Sequence, residues 1–178
     1  MEKKVKYEGW LNIHQVKDTN KNGVKIDREV MTRSVDNRSD DSVAGILLDV
    51  NKGIYYFVNQ YRAGVSIRSE DPYITEVVAG TLEKSEDPKE CFKREAMEEV
   101  GFKVDNLIEL SSLYTSPGGT SEKCYLYIAT GEKTEIGGGL EQENEDIEVV
   151  ELSKEEVSKT VFKDMKTQYL VNLMNDFL

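Results

Sequence analysis

Residues 80–102 read GTLEKSEDPKECFKREAMEEVGF, and the order of charged and apolar residues in this stretch decides how the whole chain is read. Asp87 is a natural N-cap, Pro88 suits the first helical position, and Glu90 stands where a capping box would be completed. Gly101 is placed to end the helix in a left-handed conformation. Between these signals Phe92, Ala96 and Val100 recur every four residues, an apolar stripe for a core. Glu95, Glu98 and Glu99 stand at i, i+3 and i+4, so a helix here crowds three carboxylates onto one face. Two unit charges about 4 Å apart repel by roughly 4 kcal/mol at an effective dielectric of about 20. Such a cluster gains nothing unless something positive sits over it. Oxygen donors unaccompanied by His or Cys favour Mg²⁺ or Mn²⁺ over zinc. Arg94 does not share the face of Glu95, but it is long enough to reach and orient a neighbouring carboxylate. The plain alternative is a solvated acidic surface helix.

The full spacing argues against that alternative. The stretch matches the Nudix box, G-x5-E-x7-R-E-U-x-E-E-x-G-U with U bulky and apolar, at Gly80, Glu86, Arg94, Glu95, Glu98, Glu99, Gly101 and Phe102. Ala96 is the one soft match, small where the pattern asks for bulk. The chain thus resembles a Nudix hydrolase. The resemblance implies an α/β fold, an α/β/α sandwich with a mixed sheet.

The chain has 178 residues, enough for one domain with a modest extension. A formal charge of −11 argues against a nucleic-acid backbone or an anionic membrane as partner. It is also a difficulty for an enzyme acting on phosphates, which bound divalent cations and a few placed arginines would offset locally. The opening residues MEKKVKYEGW lack the apolar core of a signal peptide, and no run approaches about 20 apolar residues. A cytoplasmic location is expected. Cys91 and Cys124 form no metal spacing and read as buried, reduced thiols. His14 is the one histidine, which excludes His-rich zinc sites and weighs against a Ser-His-Asp triad. Its alternating surroundings predict a half-exposed strand residue.

Residues 10–16 and 24–30 alternate apolar and polar around the turn Thr19-Asn20-Lys21-Asn22-Gly23, which predicts an antiparallel hairpin. The polar run Asn37–Asp41 reads as a boundary, giving residues 1–41 as a small antiparallel β extension and 42–178 as the main domain. Strands are predicted at 43–50, 54–61, 74–79, 107–114, 124–130 and 147–152. Ser153 with Glu156 makes a capping box for one further helix, and Asp164 caps another running towards Phe177. An isolated hairpin is marginal in water and must pack on something. In the nucleoside-diphosphate-sugar branch of the Nudix family, a segment of this kind crosses to a second subunit. The resemblance therefore implies a homodimer.

Three other segments point to that branch. Asn59-Gln60-Tyr61-Arg62 resembles its Q-x-R signature, with Arg62 as a planar fork for a diphosphate or carboxylate. Ser116-Pro117-Gly118-Gly119-Thr120-Ser121-Glu122 resembles the proline-marked loop of ADP-ribose pyrophosphatases, and by resemblance Gly118, Gly119 and Glu122 bind substrate. Gly137-Gly138-Gly139, running into Glu143-Asn144-Glu145, is similar to the loop that carries the catalytic carboxylate in ADP-ribose and GDP-mannose pyrophosphatases. The glycines would give that loop room to close. Arg28, beside Glu29, matches a pair that reaches the nucleotide across the dimer in relatives.

The resemblance implies Mg²⁺-dependent hydrolysis of a nucleotide sugar, with Mn²⁺ as an alternative metal. ADP-ribose, giving AMP and ribose 5-phosphate, is the first expectation. GDP-mannose, giving GMP and mannose 1-phosphate, is the second, and another dinucleotide is a third. A non-catalytic sensor is the rival class, though such sensors usually lose a box glutamate. By resemblance Glu95, Glu98 and Glu99 would hold the metal, with the carbonyl of Ala79 adding an oxygen and Glu145 as an outer ligand; Glu86 is a less firm ligand. Glu143 is the expected general base, Glu98 the competing one, and Arg94 the residue that orients the carboxylates.

Overall fold

The computed structural model describes residues 1–33, 37–139 and 146–177, with side chains to residue 174. A three-stranded antiparallel sheet comes first, from β1 (Glu2–Tyr7), β2 (Asn12–Thr19) and β3 (Lys25–Thr32). The main sheet contains β4 (Arg38–Asp49), β5 (Ile54–Tyr61), β6 (Tyr73–Glu76), β7 (Val78–Glu83), β8 (Phe102–Tyr114), β9 (Lys123–Lys133) and β10 (Ile147–Ser153). A short α1 (Ala63–Ser66) follows β5, and α2 (Pro88–Glu95) follows β7 and continues through a π-helical turn, Ala96–Val100. The chain closes with α3 (Lys154–Lys159) and α4 (Met165–Phe177).

The strand order is β10-β5-β4-β9-β8, with β6 added on β5 and β7 on β4. β4 and β9 run parallel from Ser42/Cys124 to Leu48/Thr130, whereas the other pairings are antiparallel. The central strands alternate between two cores, as a period of two requires. Tyr56 and Val58 join Val43, Phe92 and Val100 on the α2 side, while Tyr55 and Phe57 join Ile46, Val157 and Leu170 on the other. Both faces are thus covered by helices, the sandwich expected. No helix among the described residues is long and apolar enough to cross a membrane.

Several elements differ from the sequence reading. Segment 74–79 is two strands, because the Val77 amide leaves the ladder and donates to Thr167 Oγ1 at 2.9 Å. β6 then pairs with β5 and β7 with β4. The polar run Asn37–Asp41 lies mostly within β4; its acids hold loops, with Asp40 Oδ1 accepting from Arg33 N and Asp41 Oδ1 from Lys123 N. The predicted hairpin is present but gains β1, whose residues are all exposed and whose only apolar members are Val5 and Tyr7. His14 is buried, not half-exposed. It lies on the central strand of the small sheet, and its Nε2 is 2.9 Å from Thr32 Oγ1. The small sheet rests on the main domain where Met31 N donates to Gly119 O at 2.8 Å.

Candidate functional site

Strand ends and α2 meet at one edge of the sheet. Asp87 caps α2 by accepting from Lys89 N at 2.9 Å, and Pro88 opens it. Phe92, Ala96 and Val100 are fully buried, so the helix is locked in rotation and its glutamates are turned to β7. The last turn is not regular α-helix: Gly101 N reaches back to both Ala96 O and Met97 O, and Gly101 closes the turn at φ +72°. Single π turns of this kind often mark functional sites.

The positive charge that the glutamate cluster calls for comes from the chain itself. Arg94 Nη1 lies 2.9 Å from Glu95 Oε1 and 2.8 Å from Glu98 Oε2, while its Nε donates to Glu86 Oε1 at 3.1 Å. Glu86, the less firm ligand from sequence, is thereby drawn into the cluster, and its Oε2 accepts from Glu83 N at 2.9 Å. Burial raises the Glu86 pKa, but the Arg94 hydrogen bond and the Glu83 amide lower it further, leaving it below the ordinary value. Glu99 is set apart, 2% exposed, with Oε2 accepting from Ala79 N at 3.3 Å. Glu95 lies over Gly80, where an added Cβ would fall 2.0 Å from its carboxyl carbon.

These donors fit a hard divalent cation: every candidate is an oxygen, one carboxylate is buried, and a glycine leaves room for another. Among the described residues, no three acidic, His or Cys groups already form a ligand set; Arg94 bridges Glu86, Glu95 and Glu98 instead. The contact seen at Ala79 is its amide, not its carbonyl. Glu143 and Glu145 lie outside the described residues.

Arg62 directly follows β5 and feels the charge of Glu99, but its fork is occupied. Nε donates to Glu76 Oε1 at 3.0 Å and Nη2 to Oε2 at 2.5 Å, with Arg62 38% exposed and Glu76 almost wholly buried. Burial opposes the Arg62 charge, yet Glu76, with Glu99 and Asp164 beyond it, raises the guanidinium pKa overall. Glu76 is the site residue that the sequence reading missed. Its signal was a lone carboxylate inside the apolar run from Ile74 to Ala79.

Glu122 also faces inward. Its carboxylate is buried and accepts from Ser42 Oγ at 2.7 Å, Thr115 Oγ1 at 3.0 Å and Arg33 Nη1 at 3.2 Å. That arrangement ties the 115–122 loop to β4. Gly118 and Gly119 sit on the outside of the loop, and an added Cβ on either meets nothing within 4 Å. Arg28 is exposed on β3 and donates to the Asp27 carbonyl; among the described residues no hydrogen bond or ion pair joins it to the glutamates. The triple glycine is packed on the end of the π turn rather than standing free, with Gly138 N donating to Glu99 O at 2.9 Å.

Comparison with known proteins gives the family of the chain. The NUDIX domain family model matches residues 40–169. The GDP-mannose pyrophosphatase of Salmonella typhimurium is 34% identical over 137 residues, covering 72% of this chain and 70% of that protein. The ADP-ribose pyrophosphatase of Haemophilus influenzae is 32% identical over 155 residues, covering 84% and 71%. A crystal structure of an ADP compounds hydrolase shares the fold, with a TM-score of 0.74 at 18% identity over 100% of this chain and 95% of that one. The chain belongs to the Nudix family, among its pyrophosphatases.

Proposed function

We propose that this protein hydrolyses the diphosphate bond of a nucleoside-diphosphate sugar in a Mg²⁺-dependent reaction, with ADP-ribose as substrate and AMP and ribose 5-phosphate as products. The observation that carries this reading is the intact set of Glu86, Arg94, Glu95, Glu98 and Glu99 gathered beside Ala79 and Gly80. A sensor that had lost hydrolysis would not need all of them. GDP-mannose is the second reading, favoured by the 34% identical relatives of that activity.

Glu95 and Glu99 would hold the metal, with Glu98 beside them and the Ala79 carbonyl and Glu145 as further donors; Mn²⁺ is a chemical substitute. A bound Mg²⁺ supplies charge neutralisation at the diphosphate and acidifies the attacking water. Arg94 fixes the directions of Glu95 and Glu98, and the exposed side of Arg62 offers N–H donors to a phosphate oxygen. Glu143 serves as general base, because a carboxylate committed to a metal is a poor proton acceptor. Residues 1–41 form an extension that pairs two copies of residues 42–178, placing Arg28 at the partner's nucleotide.

The test is a panel of ADP-ribose, GDP-mannose, ADP-glucose, UDP-glucose, NADH and a diadenosine polyphosphate, each with and without Mg²⁺. Metal-dependent release of a nucleoside monophosphate from ADP-ribose is expected. Turnover of NADH or the diadenosine compound alone reassigns the substrate, and no turnover of any overturns the proposal.

A further inference from the structure

The carbonyls at the C-terminal end of a helix have no partners within it. Here those of the glutamate-bearing turn are met by one stretch of chain arriving from β9. Thr134 N and Glu135 N donate to Gly101 O at 2.9 and 3.2 Å, Gly138 N to Glu99 O at 2.9 Å, and Gly139 N to Glu98 O at 3.1 Å. The backbones meet so closely that side chains are excluded. A Cβ on Gly137 would lie 2.3 Å from Glu99 O and 2.4 Å from Val100 Cα. Both obstacles are backbone, so no change of rotamer relieves them.

Glu99 is therefore held from two sides, by Gly138 at its carbonyl and by Ala79 N at its carboxylate. Glu98 is held in the same manner, by Gly139 at its carbonyl and by Arg94 at its carboxylate. An α-helical turn would keep its shape through its own ladder. The π turn here, a rare and short form, keeps the bonds from Gly101 N to Ala96 O and Met97 O, and the carbonyls of Glu98, Glu99 and Gly101 take their partners from residues 134–139.

We propose that residues 134–139 are a strap that positions the Glu98 and Glu99 carboxylates for a divalent cation, and that Gly137 is a positioning residue of the metal site although it touches neither metal nor substrate. The proposal rests on the reading of those glutamates as metal ligands. It goes beyond it in assigning their placement to a segment far along the chain.

The experiment measures Mn²⁺ affinity without substrate, by paramagnetic resonance of the free ion. Gly137→Ala should raise the Mn²⁺ Kd at least tenfold. Gly64→Ala, where an added Cβ meets nothing within 4 Å, should leave it unchanged. A folded Gly137→Ala protein that binds Mn²⁺ like wild type overturns the strap alone. Wild-type protein that binds no Mn²⁺ overturns the ligand assignment itself, which is a different result.

A second measurement needs no variant. If strap and carboxylates are coupled, metal binding must stabilise the strap by the same factor that the strap favours metal. Added Mg²⁺ should slow amide hydrogen exchange at Gly138 and Gly139 at least tenfold, with the turn amide of Gly53 as an unaffected reference. Unchanged exchange at both glycines while Mg²⁺ is bound overturns the proposal, whether or not Gly137→Ala folds.

Discussion

A β-carbon on Gly80 would lie 2.0 Å from the Cδ and Oε1 of Glu95: the glycine of the strand and the glutamate of the helix share one space. Gly80 pairs with Val43 in the sheet, and its φ is not among the left-handed ones. Glycine is needed there for room, so that a carboxylate can lie against the strand backbone.

Gly80→Ala tests this directly. The new methyl meets the far end of a flexible side chain, so the fold should survive with a melting shift of a few degrees while Glu95 is displaced. A fall in kcat/KM of at least tenfold, about 1.4 kcal/mol, is expected from steady-state kinetics. Unchanged kinetics would show that the Glu95 position does not matter.

Arg94 holds three carboxylates, and a lysine keeps the charge but not the fork. Arg94→Lys should destabilise the protein by about 1–3 kcal/mol in denaturant unfolding and lower kcat more than it raises KM. The pairing also sets a pH response. Glu86 has its pKa depressed in the folded state, so its contribution is complete above the ordinary value of 4.5 and is lost as pH falls through the folded value. Melting temperatures should fall on acidification below that value. Glu86→Gln should flatten part of the fall, and an unchanged profile would remove Glu86 from the acid response.

Arg62→Ala should cut kcat/KM at least tenfold. Because Glu76 is buried against Arg62 at 2.5 Å, Glu76→Gln should also impair turnover while loosening the arginine. Kinetics like wild type in Arg62→Ala would make the pair purely structural.

Glu143 and Glu98 compete for the role of general base. Loss of a base costs about 10² to 10⁴ in kcat with little change in KM. Glu143→Gln should show that loss and retain Mg²⁺ affinity. The assignment passes to Glu98 if Glu143→Gln keeps near-normal kcat while Glu98→Gln loses activity and still binds Mg²⁺.

The extension exposes Val5, Tyr7 and Trp10 by 51%, 60% and 73%, a poor bargain for a sheet in water. Light scattering at micromolar concentration should give a dimer, and deletion of residues 1–33 should give monomers. A monomeric full-length chain removes the exchanged extension and, with it, the role of Arg28.

The main strands were legible because their pattern is local. The runs at Val43–Val50 and Ile54–Tyr61 feed two cores, and Asp87, Pro88 and Gly101 mark the helix ends in a few residues each. What was misplaced depended on distant partners. The break at Val77 needs Thr167, ninety positions along the chain, and the burial of His14 needs Thr32 on the next strand. β1 was missed because its apolar residues are only Val5 and Tyr7, both exposed and set among three lysines.

The sequence by itself determined that Glu95, Glu98 and Glu99 form one carboxylate cluster, because side chains three and four positions apart are neighbours on a helix. The tertiary structure decided how that cluster is held. Arg94 answers the repulsion, Glu76 occupies Arg62, Glu122 turns inward, and a strap from residues 134–139 satisfies the carbonyls of a π turn. Apart from the contacts Arg94 makes with Glu95 and Glu98 on its own helix, each of these joins groups that local periodicity does not relate. Hydrogen-bond satisfaction of buried charges and of helix ends is settled only when the whole chain is packed.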